Sequence, residues 1–73
     1  MAVLLNYNDV KYPNIKVKLN GTNGNAFAIL GTVRAALSKA GVPHDEREQF
    51  ITEATSGDYD HLLVTCMKWV NVT

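Results

Sequence analysis

Apolar and basic residues alternate strictly over residues 15–19, which read Ile-Lys-Val-Lys-Leu. A two-residue period places the three apolar side chains on one face of an extended segment and both lysines on the other. The pattern predicts a half-buried β-strand. Residues 2–7 are apolar and compatible with a second strand, and turn-forming residues separate the two segments. We therefore predict an N-terminal β-hairpin with a long loop.

The hydrophobic period changes from two to about 3.6 after residue 25. The apolar positions at helical spacing are Ala26, Phe27, Ile29, Leu30, Val33, Ala36, Leu37 and Ala40. Gly41 and Pro43 form a stop signal, so we predict a first helix over residues 25–39. We expect Phe27 and Leu30 to anchor the core. Gly31 inside a helix indicates that a neighbouring backbone or ring packs closely there.

Two further helices follow, each with its own boundary signals. Pro43 and the acidic residues after it suit a helix start, and we predict the second helix over residues 44–55. The stretch Ser56-Gly57-Asp58 ends that helix and caps a third helix, which we predict to reach Trp69. Residues 70–72 are predicted to form a short edge strand. The predicted fold class is α+β, a single domain over residues 1–73: an N-terminal β-hairpin followed by three amphipathic helices.

Composition excludes several means of stabilising the fold and several functions. The chain has 73 residues, zero formal net charge, one cysteine and two histidines. An intramolecular disulfide is impossible, and a structural zinc site would have to recruit aspartate or a second chain, so no metal or cofactor is expected. A core of this size is marginally stable without a metal or disulfide, and we therefore predict a homo-oligomer.

The charge balance and the N-terminus bear on partners and location. Without an excess of basic residues, duplex nucleic acid is a poor partner. The N-terminal apolar run is too short for a signal sequence or membrane span, which indicates a cytoplasmic protein.

The first candidate site is the junction between the strand and the first helix. Thr22, Asn23, Gly24 and Asn25 lie directly before the helix N-terminus, where free amides and the helix dipole attract anions. Arg34 or Lys18 would add positive charge. Neither glycine-rich phosphate motif is present, so a simple turn and helix cap explains the same residues without a ligand.

The second candidate site surrounds the start of the third helix, where Ser56, Asp58, Tyr59 and His61 are crowded together. Such clusters are common in binding sites, although helix capping also explains Ser56 and Asp58. A hydrolase would need Asp58 or Asp60 to orient His61, which would activate Ser56, Cys66 or water. No oxyanion hole is evident, so we expect no enzymatic activity.

Two residues of the last helix have alternative interpretations. Cys66 lies on the apolar stripe, where a buried and inert thiol is expected. Trp69 lies towards the edge of that stripe. It either fills the core beneath the hairpin or anchors a binding partner.

The segments GNAFAILGTVRAALSKAG, residues 24–41, and EATSGDYDHLLVTCMKWVNV, residues 53–72, carry a resemblance over most of the chain. They resemble a family of small uncharacterised proteins of bacteria and their phages. The resemblance implies a stand-alone domain encoded by a phage or mobile element, and by analogy an anti-defence role. We predict a non-enzymatic protein that captures an anionic ligand such as a nucleotide at the helix N-termini. The alternative is a protein–protein interaction module that blocks a host factor.

Overall fold

The structure is a computed structural model that describes residues 10–19 and 25–73. The predicted first strand, residues 2–7, lies outside the described residues, and with it one half of the predicted hairpin. Thr22, Asn23 and Gly24 of the first candidate site also lie outside them. The elements in chain order are β1 (Tyr12–Val17), α1 (Ala26–Lys39), α2 (His44–Ala54), α3 (Tyr59–Trp69) and β2 (Val70–Val72). The α+β class, the three helices and the C-terminal strand are confirmed.

Local signals set the boundaries of α1. The Asn25 side chain accepts a hydrogen bond from the backbone N–H of Ala28 at 3.0 Å, which caps the helix start. At the other end Gly41 has a φ of 87°, a conformation that glycine adopts without steric cost. The backbone N–H of Gly41 donates to Ser38 and that of Val42 donates to Leu37, both at 3.0 Å. These paired bonds form a Schellman motif, which satisfies carbonyls at the helix end.

The two strands pair in parallel, although they are the first and last described elements. Tyr12 lies opposite Val70 and Val17 opposite Val72, with an irregularity between these two ends of the ladder. Just beyond the ladder, the backbone N–H of Thr73 donates to the Val17 carbonyl at 2.9 Å. Parallel strands require a long crossover, which here consists of all three helices.

The core lies between the sheet and the helices, and both sheet and helices contribute side chains to it. Its buried hydrophobic members are Val17, Ile29, Val33, Leu37, Val42, Phe50, Ala54, Leu62, Cys66, Trp69 and Val70. Trp69 is 5% exposed and packs edge-on against Phe50, with 5.6 Å between ring centroids. Its indole N–H donates to the Glu53 carboxylate at 3.1 Å. Trp69 is therefore a core residue, and its interpretation as an exposed partner anchor is wrong.

Two expectations about α1 are also wrong. Phe27 is 86% exposed and does not anchor the core, whereas Leu30 is partly buried against it. The buried line of α1 consists of Ile29, Val33 and Leu37. At 100° per residue Phe27 lies about 120° from the middle of that line, so its side chain points away from the core. Gly31 is exposed, and no described atom lies within 4 Å of a Cβ built on it, so it marks no close packing.

A polar cluster joins the start of β1 to α2. The Tyr12 hydroxyl donates to the Glu46 carboxylate, and the Lys11 ammonium lies 3.3 Å from the same carboxylate. The Lys11 ammonium also lies 4.4 Å from the centroid of the Trp69 ring, within the range of a cation–π contact. The Tyr12 hydrogen bond, and then Lys11, hold the pKa of Glu46 below its ordinary value. The Lys11 ammonium thus lies over the Trp69 ring and beside the Glu46 carboxylate at the same time.

Candidate functional site

A groove of about 270 Å³ opens where the N-terminus of α1 meets the N-terminus of α3 and the end of α2. The residues that line it are Ala26, Phe27, Leu30, Ala54, Thr55, Gly57, Asp58, Tyr59 and Leu62. The sequence predicted a site at the starts of the first and third helices, and the fold brings these two helix starts to one groove. The lining of this groove is mainly apolar, whereas the prediction expected polar groups that would hold an anion.

The groove surface is mainly apolar. Ala54 and Leu62 are buried and, with the partly buried Leu30, form the apolar floor of the groove. Phe27 stands at the rim with most of its ring in solvent, and Tyr59 is 37% exposed. The only charged side chain among the described lining residues is Asp58. An apolar floor with an exposed aromatic ring is suited to an apolar side chain, because such surface gains free energy when it leaves water.

Capping side chains already occupy amides at both helix starts. The Asp58 carboxylate accepts from the backbone N–H of His61 at 2.9 Å, as the Asn25 side chain does from Ala28 at the start of α1. An incoming anion would have to compete with these side chains. At α3 it would also meet the negative charges of Asp58 and Asp60. The described part of the groove is therefore poorly suited to anions.

Ser56, Glu53 and His61 form a compact hydrogen-bonded group beside the groove. The Ser56 hydroxyl donates to the Glu53 carbonyl at 2.7 Å, and His61 Nε2 lies 2.8 Å from the same carbonyl and 3.1 Å from the Ser56 oxygen. A carbonyl oxygen only accepts, so the hydrogen bond requires a proton on His61 Nε2. In that tautomer Nε2 cannot take a proton from Ser56, and the group stabilises the turn between α2 and α3.

The remaining predicted site residues of the described chain do not line the groove. Arg34 is about 12 Å along α1 from Ala26, and its guanidinium lies 3.6 Å from the Glu48 carboxylate at the surface. Lys18 is exposed directly after β1 and does not line the groove. Ser56 and His61 adjoin the groove without lining it. Of the predicted residues, Asn25 caps α1 beside the groove, and Asp58 and Tyr59 contribute to its surface.

Cys66 is fully buried in the core, and burial raises the pKa of its thiol to about 11. Its interpretation as an inert thiol fits this environment, since the reactive thiolate is disfavoured. Among residues 10–19 and 25–73, no group of three or more histidine, cysteine, aspartate or glutamate side chains is arranged to hold a metal ion. Within the same ranges, every helix is too short or too polar to cross a membrane.

Sequence reasoning missed Phe27 as a site residue because a large aromatic ring in a helix usually belongs to its buried face. The signal was present in the helical angle: Ile29, Val33 and Leu37 define a buried line on which Phe27 does not lie.

The fold and the groove define the chain as a small α+β domain with an apolar surface depression at two helix starts. Comparisons with protein-family models, with curated proteins and with solved structures found no match to this chain. The resemblance to small bacterial and phage proteins therefore stays a prediction.

Proposed function

We propose that this chain is a non-enzymatic protein-interaction domain, and that its partner docks on the groove with Phe27 at the rim. The observation that carries the proposal is the 86% exposure of Phe27 beside an apolar depression. An exposed large aromatic ring costs free energy in the unbound protein and becomes favourable when a partner covers it. Aromatic residues at such positions are typical anchors of protein interfaces.

The size of the groove supports a side chain as its occupant. Small-molecule sites usually enclose about 300–1,000 Å³ and bury most of the ligand. This groove measures about 270 Å³ and is bounded by the exposed rings of Phe27 and Tyr59. One or two apolar side chains of a partner fit that space better than an enclosed nucleotide does.

The charges that line the groove also favour a protein partner over a nucleotide. A nucleotide site needs donors or cations for its phosphates. The described lining contains Asp58 and no lysine, arginine or histidine. Anion capture would therefore depend on Thr22, Asn23 and Gly24, which lie outside the described residues. It remains the second proposal.

The absence of catalysis is part of the proposal. Its support is the hydrogen bonding of Ser56 and His61, in which both groups donate to the Glu53 carbonyl and neither is free to act as nucleophile or base towards the other. The buried Cys66 thiol offers no alternative nucleophile, because it is fully buried and protonated at neutral pH. A role in blocking a host factor in the cytoplasm, with or without self-association, is a finer form of this proposal.

The test is a random-peptide display library panned against the immobilised protein. Peptides selected on the parent protein should lose binding to a Phe27→Ser variant, because that substitution removes the exposed ring and leaves the core unchanged. The matched control is Val64→Ser, which alters a partly exposed apolar residue of α3 that does not line the groove. Both variants should show the parent's melting temperature within a few degrees.

Three outcomes separate the possibilities. Selected peptides that bind the parent and Val64→Ser but not Phe27→Ser support the proposal. Peptides that bind all three proteins equally, or no enrichment at all, contradict it. A panel of nucleotides in a thermal-shift assay tests the second proposal, since a ligand at 100 times its dissociation constant adds about 2.7 kcal/mol of stability.

A further inference from the structure

The side of α3 that faces away from the core carries two exposed apolar side chains, Val64 and Met67. The buried residues of this helix are Leu62, Thr65, Cys66 and Trp69. At 100° per residue, Val64 and Met67 each lie about 150° from the middle of that buried set. Both side chains are 39% exposed, and neither lines the groove. This outer face of α3 is therefore an apolar surface separate from the docking groove.

Charged residues of opposite sign flank Val64 at equal spacing. Asp60 lies four residues before it, in the first turn of α3, and Lys68 lies four residues after it, in the last turn. Residues four apart lie on one side of a helix and about 6 Å apart along its axis. Both charged side chains are exposed, and within the part of the chain that the structure describes neither forms an ion pair. The outer face thus runs from an acid through an apolar centre to a base.

This order of charges is complementary to itself when it is reversed. We infer that two copies of the chain associate through this face, with their α3 helices antiparallel and a two-fold axis beside Val64. The two Val64 side chains then meet, and Asp60 of each copy lies level with Lys68 of the other. A parallel arrangement would instead place like charges together. Two-fold interfaces use the same patch on both subunits, so a self-complementary face fits a second copy of this chain.

The outer face is small, so the dimer should be weak. Three turns of one helix offer less than the roughly 800 Å² that each partner buries in a standard interface. We expect a dissociation constant on the order of 100 µM for such a contact. At low micromolar concentration the chain is then monomeric, and Val64→Ser remains a control for peptide binding at the groove. The inference is independent of the proposed function, because the two surfaces share no residue.

Light scattering on the full chain measures the association. Its mass should rise from monomer towards dimer between about 10 µM and about 1 mM, on either side of the expected dissociation constant. Val64→Glu places two carboxylates against each other at the two-fold axis and should weaken association roughly tenfold or more. Val64 is exposed, so this variant should keep the fold, and a cooperative melting transition checks that it does. A parent protein that is still a monomer at the highest concentration overturns the inference.

Charge reversal tests the antiparallel register. Asp60→Lys and Lys68→Asp each place like charges together in a homodimer, so each variant should associate roughly tenfold more weakly than the parent. Mixing the two variants should restore association, because a face with two bases then meets a face with two acids. The double variant Asp60→Lys, Lys68→Asp should also dimerise, since its order of charges is again complementary to itself. Each substitution also opposes the dipole of α3, but that cost lies within one chain and mixing cannot relieve it.

Asp45→Lys is the matched control, because Asp45 is an exposed acid in the first turn of α2 and lies off the outer face of α3. It changes the charge equally, at the same position of a helix, and should dimerise like the parent. Equal loss of association in Asp45→Lys and Asp60→Lys overturns the inference, as does a mixture of the two charge-reversed variants that associates no better than either alone. A dimer that Phe27→Ser dissociates and Val64→Glu leaves intact would place the second copy in the groove, and also overturns it.

Discussion

The two phenylalanines of the chain lie in opposite environments. Phe50 is fully buried against Trp69, whereas Phe27 has 86% of its surface in solvent. The same side chain therefore stabilises the fold at one position and presents a surface at the other. What separates them is their position relative to the buried line of their own helix.

Alanine substitution should separate these roles. Phe50→Ala should cost about 3–5 kcal/mol, because it removes buried surface and leaves a cavity. Phe27→Ala should change the free energy of unfolding by less than about 0.5 kcal/mol. Urea denaturation of both variants measures the difference. A loss above 2 kcal/mol in Phe27→Ala would show that the ring is packed in solution and would remove the basis of the docking groove.

The thiol of Cys66 should report on opening of the core. Because it is fully buried and its pKa is raised to about 11, it should react with a thiol reagent at neutral pH far more slowly than free cysteine. In denaturant the rate should reach that of an unfolded peptide. Reaction in the native protein at the unfolded rate would place the thiol outside the core.

At the scale of the elements, two exposed glycines provide a matched comparison. Gly31 lies inside α1 with no described atom within 4 Å of a Cβ built there. Gly57 lies between α2 and α3, where a Cβ would come 2.8 Å from Cγ and 2.9 Å from Cβ of His61. Gly31 therefore has space for a side chain, while Gly57 is required by the close approach of His61.

We expect opposite signs from the two alanine variants. Gly31→Ala should stabilise the protein by about 0.5–1 kcal/mol, because alanine is the better helix former and nothing obstructs it. Gly57→Ala should destabilise it by about 1–3 kcal/mol, because His61 must move from its bond to the Glu53 carbonyl. Thermal denaturation measures both. If Gly57→Ala is neutral, or if its cost persists in a His61→Gly background, which lacks both His61 atoms at the contact, the clash is not the cause.

Local signals allowed the helices to be predicted from the sequence, and non-local contacts account for what was missed. Asn25, Gly41 and Asp58 act on neighbouring backbone groups, so their effect is visible in the sequence itself. The pairing of β1 with β2 joins residues almost sixty positions apart, and no turn between them indicates it. The starts of α1 and α3 were proposed to share a site because both are polar in sequence. The apolar floor between them could not be predicted, because its residues come together only when the helices pack.

At the scale of the whole molecule, polar contacts tie the sheet to the helices. Lys11 and Tyr12 reach across to Glu46 at the start of α2, and the backbone N–H of Lys11 donates to the Lys68 carbonyl at 2.8 Å. The cluster thus links the start of β1 to α2 and to the end of α3. Its strength depends on the charge of Glu46.

Acidification should weaken this link. The folded-state pKa of Glu46 lies below its unfolded value, so the carboxylate stabilises the fold above that value and loses its contribution as pH falls through the folded-state pKa. Glu46→Gln should therefore be less stable than the parent at pH 7, and the difference should shrink towards low pH. Melting temperatures across pH 7 to 3 measure this, with Glu48→Gln as the surface control on the same helix. A difference that does not change with pH would show that the charge of Glu46 is not responsible.

The parallel pairing of β1 and β2 also determines how the domain would respond to force. A pull on the start of β1 and on the end of β2 acts in opposite directions along two adjacent strands that run the same way. Their ladder is then sheared, and its hydrogen bonds carry the load together, instead of opening one after another as in a hairpin pulled from its open end. When force is applied at these two points, the strand pair carries it, and the three helices bear no tension until the short sheet ruptures.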